Sequence, residues 1–99
     1  TAGGWIRGVR PKATVPPMTY EIEIRERAQR DFDAIPPKDA ARIAKRIAAL
    51  AHDLAGDVKR LTNFTPSYRL RVGDWRVLFE VVNRSVVVHR VLHRREVYR

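Results

Sequence analysis

A chain of 99 residues with 44% hydrophobic content and no cysteine is expected to form one domain with a modest core, which excludes wholesale disorder, a disulfide frame, a thiol nucleophile and a cysteine-held metal. A formal charge of +9 and a pI near 11.0 point to a polyanionic partner: nucleic acid, an acidic protein or an anionic membrane surface. Its apolar runs are far too short to span a bilayer, and Thr1 to Pro17 lacks the apolar core of a signal peptide, so the expected location is cytoplasmic.

Residues 1–17 contain Gly3, Gly4, Gly8, Pro11, Pro16 and Pro17 among Arg7, Arg10 and Lys12. Neither helical nor strand periodicity is present, so this stretch is expected to be a flexible N-terminal extension, and the folded domain is expected at 18–99. From Thr19 the pattern alternates. Tyr20, Ile22 and Ile24 face one way and Glu21, Glu23 and Arg25 the other, which predicts a half-buried strand. A short helix is predicted over 26–34, stopped by Ile35-Pro36-Pro37. Pro37 then suits the first turn of a second helix, with Asp39 near its positive end. Ala40, Ile43, Ala44, Ile47, Leu50, Ala51 and Leu54 form one apolar stripe, and Gly56 is the predicted left-handed cap.

Val58 to Leu61 reads as a short strand, and 63–67 as a loop containing Pro66. Tyr68 to Val72 and Trp75 to Val82 read as strands joined by a Gly73-Asp74 turn, with glycine supplying the positive dihedral. Asn83-Arg84 makes the next turn and Ser85 to Leu92 the last strand. The order β-α-α-β-β-β-β predicts an α+β fold: an antiparallel meander with two helices packed on one face.

Alternation also sorts the basic side chains. Leu70 and Val72 share a face, leaving Arg69 and Arg71 on the other. Val77, Phe79 and Val81 oppose Arg76, Leu78 and Glu80. In the last strand Val87, His89 and Val91 oppose Val86, Val88, Arg90 and Leu92. Arg69, Arg71 and Arg76 are therefore expected to converge on an open face with Lys59 and Arg60, joined by Arg94, Arg95 and Tyr98 from the tail. After Gly56 only Asp57, Asp74, Glu80 and Glu96 stand against ten Lys and Arg. So few carboxylates cannot neutralise the cluster, which calls for an external anion.

The run Tyr68-Arg69-Leu70-Arg71-Val72-Gly73-Asp74-Trp75-Arg76-Val77-Leu78-Phe79, followed by His93-Arg94-Arg95-Glu96-Val97-Tyr98, resembles the RelE/ParE toxin superfamily of toxin–antitoxin systems. The likeness begins at Met18. No single piece is specific, and the order of pieces at these spacings carries the signal. RelE-like members cleave messenger RNA in the ribosomal A site, leaving a 2′,3′-cyclic phosphate, with lysine, arginine and tyrosine in place of the usual histidine or glutamate and without a metal. The resemblance thus implies a type II toxin that acts as a ribosome-dependent endoribonuclease. Such chemistry needs the 2′-oxygen deprotonated, the phosphorane charge stabilised and the leaving 5′-oxygen protonated. Planar guanidinium forks match phosphate oxygens, and tyrosine can stack on a base or move a proton.

Position by position, the resemblance assigns catalytic roles to Lys59, Arg60, Arg71, Arg76, Arg94 and Tyr98, with Arg95 competing with Arg94. RNA contacts fall to Arg69, His93 and Arg95. His93 is equally readable as a surface histidine. One departure stands out: Thr62 and Asn63 occupy positions where the family often has a basic residue and glycine. No histidine pair has metal-ligand spacing and no glycine loop cradles phosphate, so neither metal nor cofactor is expected. The implied partners are the ribosome, mRNA and a cognate antitoxin with an acidic amphipathic segment. The toxin alone is expected to be a monomer, and a hetero-oligomer with its antitoxin. Two alternatives stay open: a ParE-like poison of DNA gyrase with the same fold, and a non-catalytic nucleic-acid-binding module.

Overall fold

The predicted alternation at the start becomes strand β1 (Glu21–Ile24), in which exposed Glu21 and Glu23 alternate with half-buried Ile22 and Ile24. The computed structural model describes residues 19–97. The expectations for the extension at 1–17 and for Tyr98 lie outside the described residues. Helix α1 (Glu26–Asp33) carries an acidic residue in its first turn, buries Ala28 and ties Arg30 to Glu26 across one turn at 3.2 Å. Helix α2 (Pro37–Ala49) has proline at its start and buries Ile43 and Ile47.

The helix ends earlier than the apolar stripe predicts. A continued helix would pair the Ala51 carbonyl with the Ala55 N–H. Instead Ala51 O accepts from the Tyr20 N–H at 2.9 Å, and Thr19 bridges His52. The chain entering β1 thus captures the end of α2. Asp53 and Leu54 take left-handed φ values of 57° and 56°, so Gly56 does not cap the helix. At φ 125° it leads into the next strand, and a Cβ there would lie 2.9 Å from Leu70 Cδ1.

Strands β2 (Asp57–Arg60), β3 (Tyr68–Val72), β4 (Trp75–Val82) and β5 (Ser85–His93) follow, then a short helical turn, α3 (Arg94–Val97). The sheet order is β1-β5-β4-β3-β2. The antiparallel meander is as expected, with Gly73 at φ 60° and Asn83 at φ 57° in its turns. The first strand adds to it in parallel, Glu21 beside Ser85 and Ile24 beside Val88. Both helices contribute to the core cluster, where Ala28, Ile43, Ile47 and Leu50 meet Leu70, Val77, Phe79, Val86 and Val88. Phe79 is fully buried and stacks on Tyr68 with centroids 5.4 Å apart. Burying these chains supplies roughly 1.5–3 kcal/mol apiece before ordering entropy is set against it.

One expected alternation is corrected. The β4–β5 register slips between Leu78 and Phe79: Leu78 faces Arg90 but Phe79 faces Val88. His89 is the extra residue of a bulge, which swaps the faces beyond it. Val86, Val88 and Val91 therefore all enter the core, and Val91 no longer shares a face with Val87.

The edge of β5 beyond β1 is closed by a side chain. After the Arg25 N–H bonds Val88 O, β1 has ended. Asp31 of α1 then accepts the Val91 N–H at 2.9 Å and grips Arg90 at 2.8 and 3.3 Å. That hydrogen bond, aided by the carboxylate's charge, raises the Arg90 pKa despite partial burial. A raised pKa on a cation stabilises the fold at every pH below it and is lost only as pH rises through it, so this contribution is flat across neutral pH. Asp31→Ala strands the backbone N–H and frees the arginine, at a cost of about 2 kcal/mol. Its melting midpoint is expected to fall by roughly 10 °C in a thermal scan.

Candidate nucleic-acid interface

Pairing registers set out the sheet face opposite the helices. Lys59 stands beside Arg69, and Arg69 beside Leu78. The next row runs Asp57, Arg71, Arg76, Leu92. The face is basic as predicted, but its cations are not equivalent. Lys59 and Arg69 have no carboxylate within ion-pair reach among the described residues, and the Arg69 Nε is buried without a hydrogen-bond partner. Arg71 is exposed and 3.9 Å from Asp57, a screened pair of small energetic weight.

Arg76 departs furthest from expectation. It is only 7% exposed, and its Nη1 donates to Gly73 O at 2.8 Å and Trp75 O at 3.0 Å. Sitting directly across from Arg71, it avoids the like charge by turning its guanidinium onto the hairpin backbone. Its Nε is buried and unpartnered, but the group is a clamp on the turn rather than an open phosphate fork. Arg60 leaves the strand on the side opposite Lys59, because adjacent strand residues alternate, yet at the strand's end it lines the same cavity as Lys59 and Arg69. Its guanidinium lies 5.9 Å from the centroid of Tyr68, which packs against the core.

The tail is shaped by a reciprocal cap that the sequence reading did not anticipate. The His93 Nδ1 accepts the Arg95 N–H at 3.3 Å, while Glu96 Oε1 accepts the His93 N–H at 2.9 Å. This is a capping box with histidine as the cap residue. The ring also meets Trp75 edge-on at 5.3 Å. His93 is thus placed to hold the α3 turn rather than to project over the basic face. Asp74 anchors the same turn: its carbonyl accepts the Arg94 N–H at 2.8 Å, and its carboxylate lies 3.7 Å from Arg94 Nε. Arg95 is exposed and has no ion pair among the described residues.

The turn carries Val97 to a cavity of about 380 Å³ bounded by Lys59, Arg60, Leu61, Thr62, Phe64 and Arg69. Tail and basic strands therefore do meet. Tyr98, the next residue, lies outside the described residues. Phe64 was not singled out from sequence, although an aromatic beside polar residues and a proline in a loop, just after Lys59-Arg60, is the signal that marks it.

A family model described as the ParE toxin of type II toxin–antitoxin system, parDE, matches residues 22–98. The chain belongs to the RelE/ParE toxin superfamily. Toxin RelE3 of Methanocaldococcus jannaschii is 38% identical over 47 residues, which is 48% of this chain and 53% of that protein; the chain spans about half the length of that relative in the match. A chain of the RelBE2 toxin–antitoxin complex from Mycobacterium tuberculosis shares the fold with a TM-score of 0.67 at 24% identity, covering 76% of this chain and 98% of its own. A chain of the RelB–RelE antitoxin–toxin complex from Methanococcus jannaschii does so with a TM-score of 0.66 at 26% identity, covering 77% and 94%. At Thr62-Asn63, where the resemblance implies a basic residue and glycine, the backbone still turns as glycine would. Asn63 takes φ 55°, the left-handed conformation that glycine adopts freely and asparagine tolerates.

Proposed function

We propose that this type II toxin is a ribosome-dependent mRNA endoribonuclease whose working unit is residues 18–99, with 1–17 as an extension. The observation that carries the reading is the pair Lys59 and Arg69, adjacent across β2 and β3, lacking carboxylate partners among the described residues, and sharing a cavity with the capped tail. Two cations held this way have charge to give to a phosphodiester. They stabilise the phosphorane as the 2′-oxygen attacks the adjacent phosphorus and the 5′-oxygen departs. Arg71 and Arg94, each only loosely held by an aspartate, are free to swing onto neighbouring phosphates. Arg76 supports the hairpin from which Arg71 projects. Tyr98 is the proposed proton carrier, following the superfamily's tail tyrosine. A site without a conventional base depends on the ribosome to orient the RNA, so free RNA is a poor substrate.

A cognate antitoxin completes the proposal. The superfamily neighbours include toxin–antitoxin complexes with RelB, and a toxin of charge +9 calls for an acidic amphipathic segment that covers the basic face or displaces the tail.

A second reading is favoured by the family match itself, which is to the ParE toxin model: binding and poisoning of DNA gyrase. One experiment separates them. Purified toxin is added to a reconstituted translation reaction and, in parallel, to a gyrase supercoiling assay. The ribonuclease reading expects translation to stop and cut mRNA ends to carry 2′,3′-cyclic phosphate. Undiminished translation at saturating toxin, with supercoiling inhibited, would replace it with the gyrase reading.

A further inference from the structure

Phe64 is 46% exposed, one of two large hydrophobic side chains so placed among the described residues. A single exposed apolar chain is ordinary. This one is held out by a loop tied shut at its base. The Leu61 N–H donates to Ser67 O at 2.6 Å, and the Ser67 N–H and hydroxyl both donate to Glu80 Oε2, at 2.9 and 3.2 Å. The left-handed Asn63 turns the chain immediately before the ring. Phe64 then stands between two hollows. One, of about 380 Å³, is walled by Lys59, Arg69 and Val97. The other, of about 640 Å³, is walled by Arg60, Asn63 and Ser67.

The geometry points to Phe64 as a stacking platform for one unpaired RNA base, beside the scissile phosphate that Lys59 and Arg69 hold. This inference rests on the ribonuclease reading and adds a second grip on the substrate beyond the scissile phosphate. An aromatic face accepts any base, because every base has a π face. The smaller hollow lies at the low end of the roughly 300–1,000 Å³ range of small-ligand sites, which suits one nucleotide rather than a duplex. Bases stacked within a helix are out of reach of such a ring, so the platform selects single strands. The residues flanking the ring in the loop are Asn63 and Thr65, and Lys59, Arg60 and Arg69 wall the smaller hollow beside it. That setting fits a ring stacked on its face with wet edges, rather than the depleted-charge core of a protein interface.

The test uses a short single-stranded oligoribonucleotide, 2′-O-methylated so that it cannot be cut, carrying 2-aminopurine, whose fluorescence falls on stacking. Wild-type protein is expected to bind it and quench it. Phe64→Leu keeps the apolar bulk without a π face; it should lose the quenching and bind about tenfold more weakly. Phe64→Trp should restore both. Lys59→Ala should weaken binding and also flatten its salt dependence, whereas Phe64→Leu should leave the salt slope unchanged, since stacking releases no counterions. Equal affinity and quenching for wild type and Phe64→Leu would overturn the inference. So would an absence of quenching by the wild type, or a Phe64→Leu defect confined to antitoxin affinity, which would make the ring a protein anchor. Quenching by a wild type that cuts no ribosome-bound mRNA would support the platform while removing the enzymatic reading.

Discussion

Lys59→Ala and Arg69→Ala are each expected to lower cleavage of ribosome-bound mRNA by about 100-fold or more, the loss typical when one donor to a developing oxyanion is removed. Tyr98→Phe should fall as far or further, since proton transfer contributes roughly 10²–10⁴-fold. The thermal midpoint of Lys59→Ala should barely move, because that side chain is exposed and has no ion pair among the described residues. Arg76→Ala is expected to invert the pattern. It strips the Gly73 and Trp75 carbonyls of a buried charged donor, which costs about 1.5–3 kcal/mol. Single-turnover cleavage and thermal melts on the same preparations read both quantities. A Lys59→Ala protein that cleaves at the wild-type rate, or an Arg76→Ala protein that melts normally yet cannot cleave, would defeat this division of labour.

Association with the antitoxin is expected to slow by one to three orders of magnitude between low and high salt. A +9 chain steers an acidic segment over distances comparable to the Debye length, about 10 Å at 0.1 M salt and about 3 Å at 1 M. Steered association runs up to about 10⁸–10⁹ M⁻¹s⁻¹, against roughly 10⁵–10⁶ for unsteered pairs. Stopped-flow mixing of toxin with the product of the neighbouring small reading frame measures this directly. A salt-independent rate would remove electrostatic steering from the account, and a neighbour that does not bind would remove the proposed partner.

Much of the fold was legible because period-two and period-three-four patterns report burial directly. Ile22 and Ile24, Ile43 and Ile47, Leu70 and Val72 all take the inward positions that their spacing gives them. What the patterns do not encode is which element an edge meets. Nothing in Glu21 to Ile24 names Ser85 to Val88 as its partner, and nothing in the stripe through Leu54 reports that Tyr20 captures the Ala51 carbonyl. A bulge is equally silent, since His89 looks like any other strand residue until the β4 register is seen. The site was legible as a set of residue types but not as a set of roles. Sequence counts the arginines of the β3–β4 hairpin alike; geometry leaves Arg69 without an ion pair among the described residues, turns Arg76 onto carbonyls and sets neighbouring Arg60 against an aromatic ring. The aromatic on the loop, Phe64, carries no charge and belongs to no periodic stripe, so it signals more weakly than the basic residues around it.

The parallel pairing of β1 with β5 has a consequence for how the chain is made. Antiparallel neighbours in the meander can zip from their turns as soon as both strands have emerged. The first strand cannot: its partner, Ser85 to Val88, lies beyond three intervening strands in the chain, and a long loop must be closed before that contact forms. Until then Ile22 and Ile24 lack the strand against which they align. A nascent chain therefore carries an incomplete sheet until β5 has emerged. During that interval β5 presents a bare edge where β1 will lie, a row of unpaired backbone groups open to a strand from another chain.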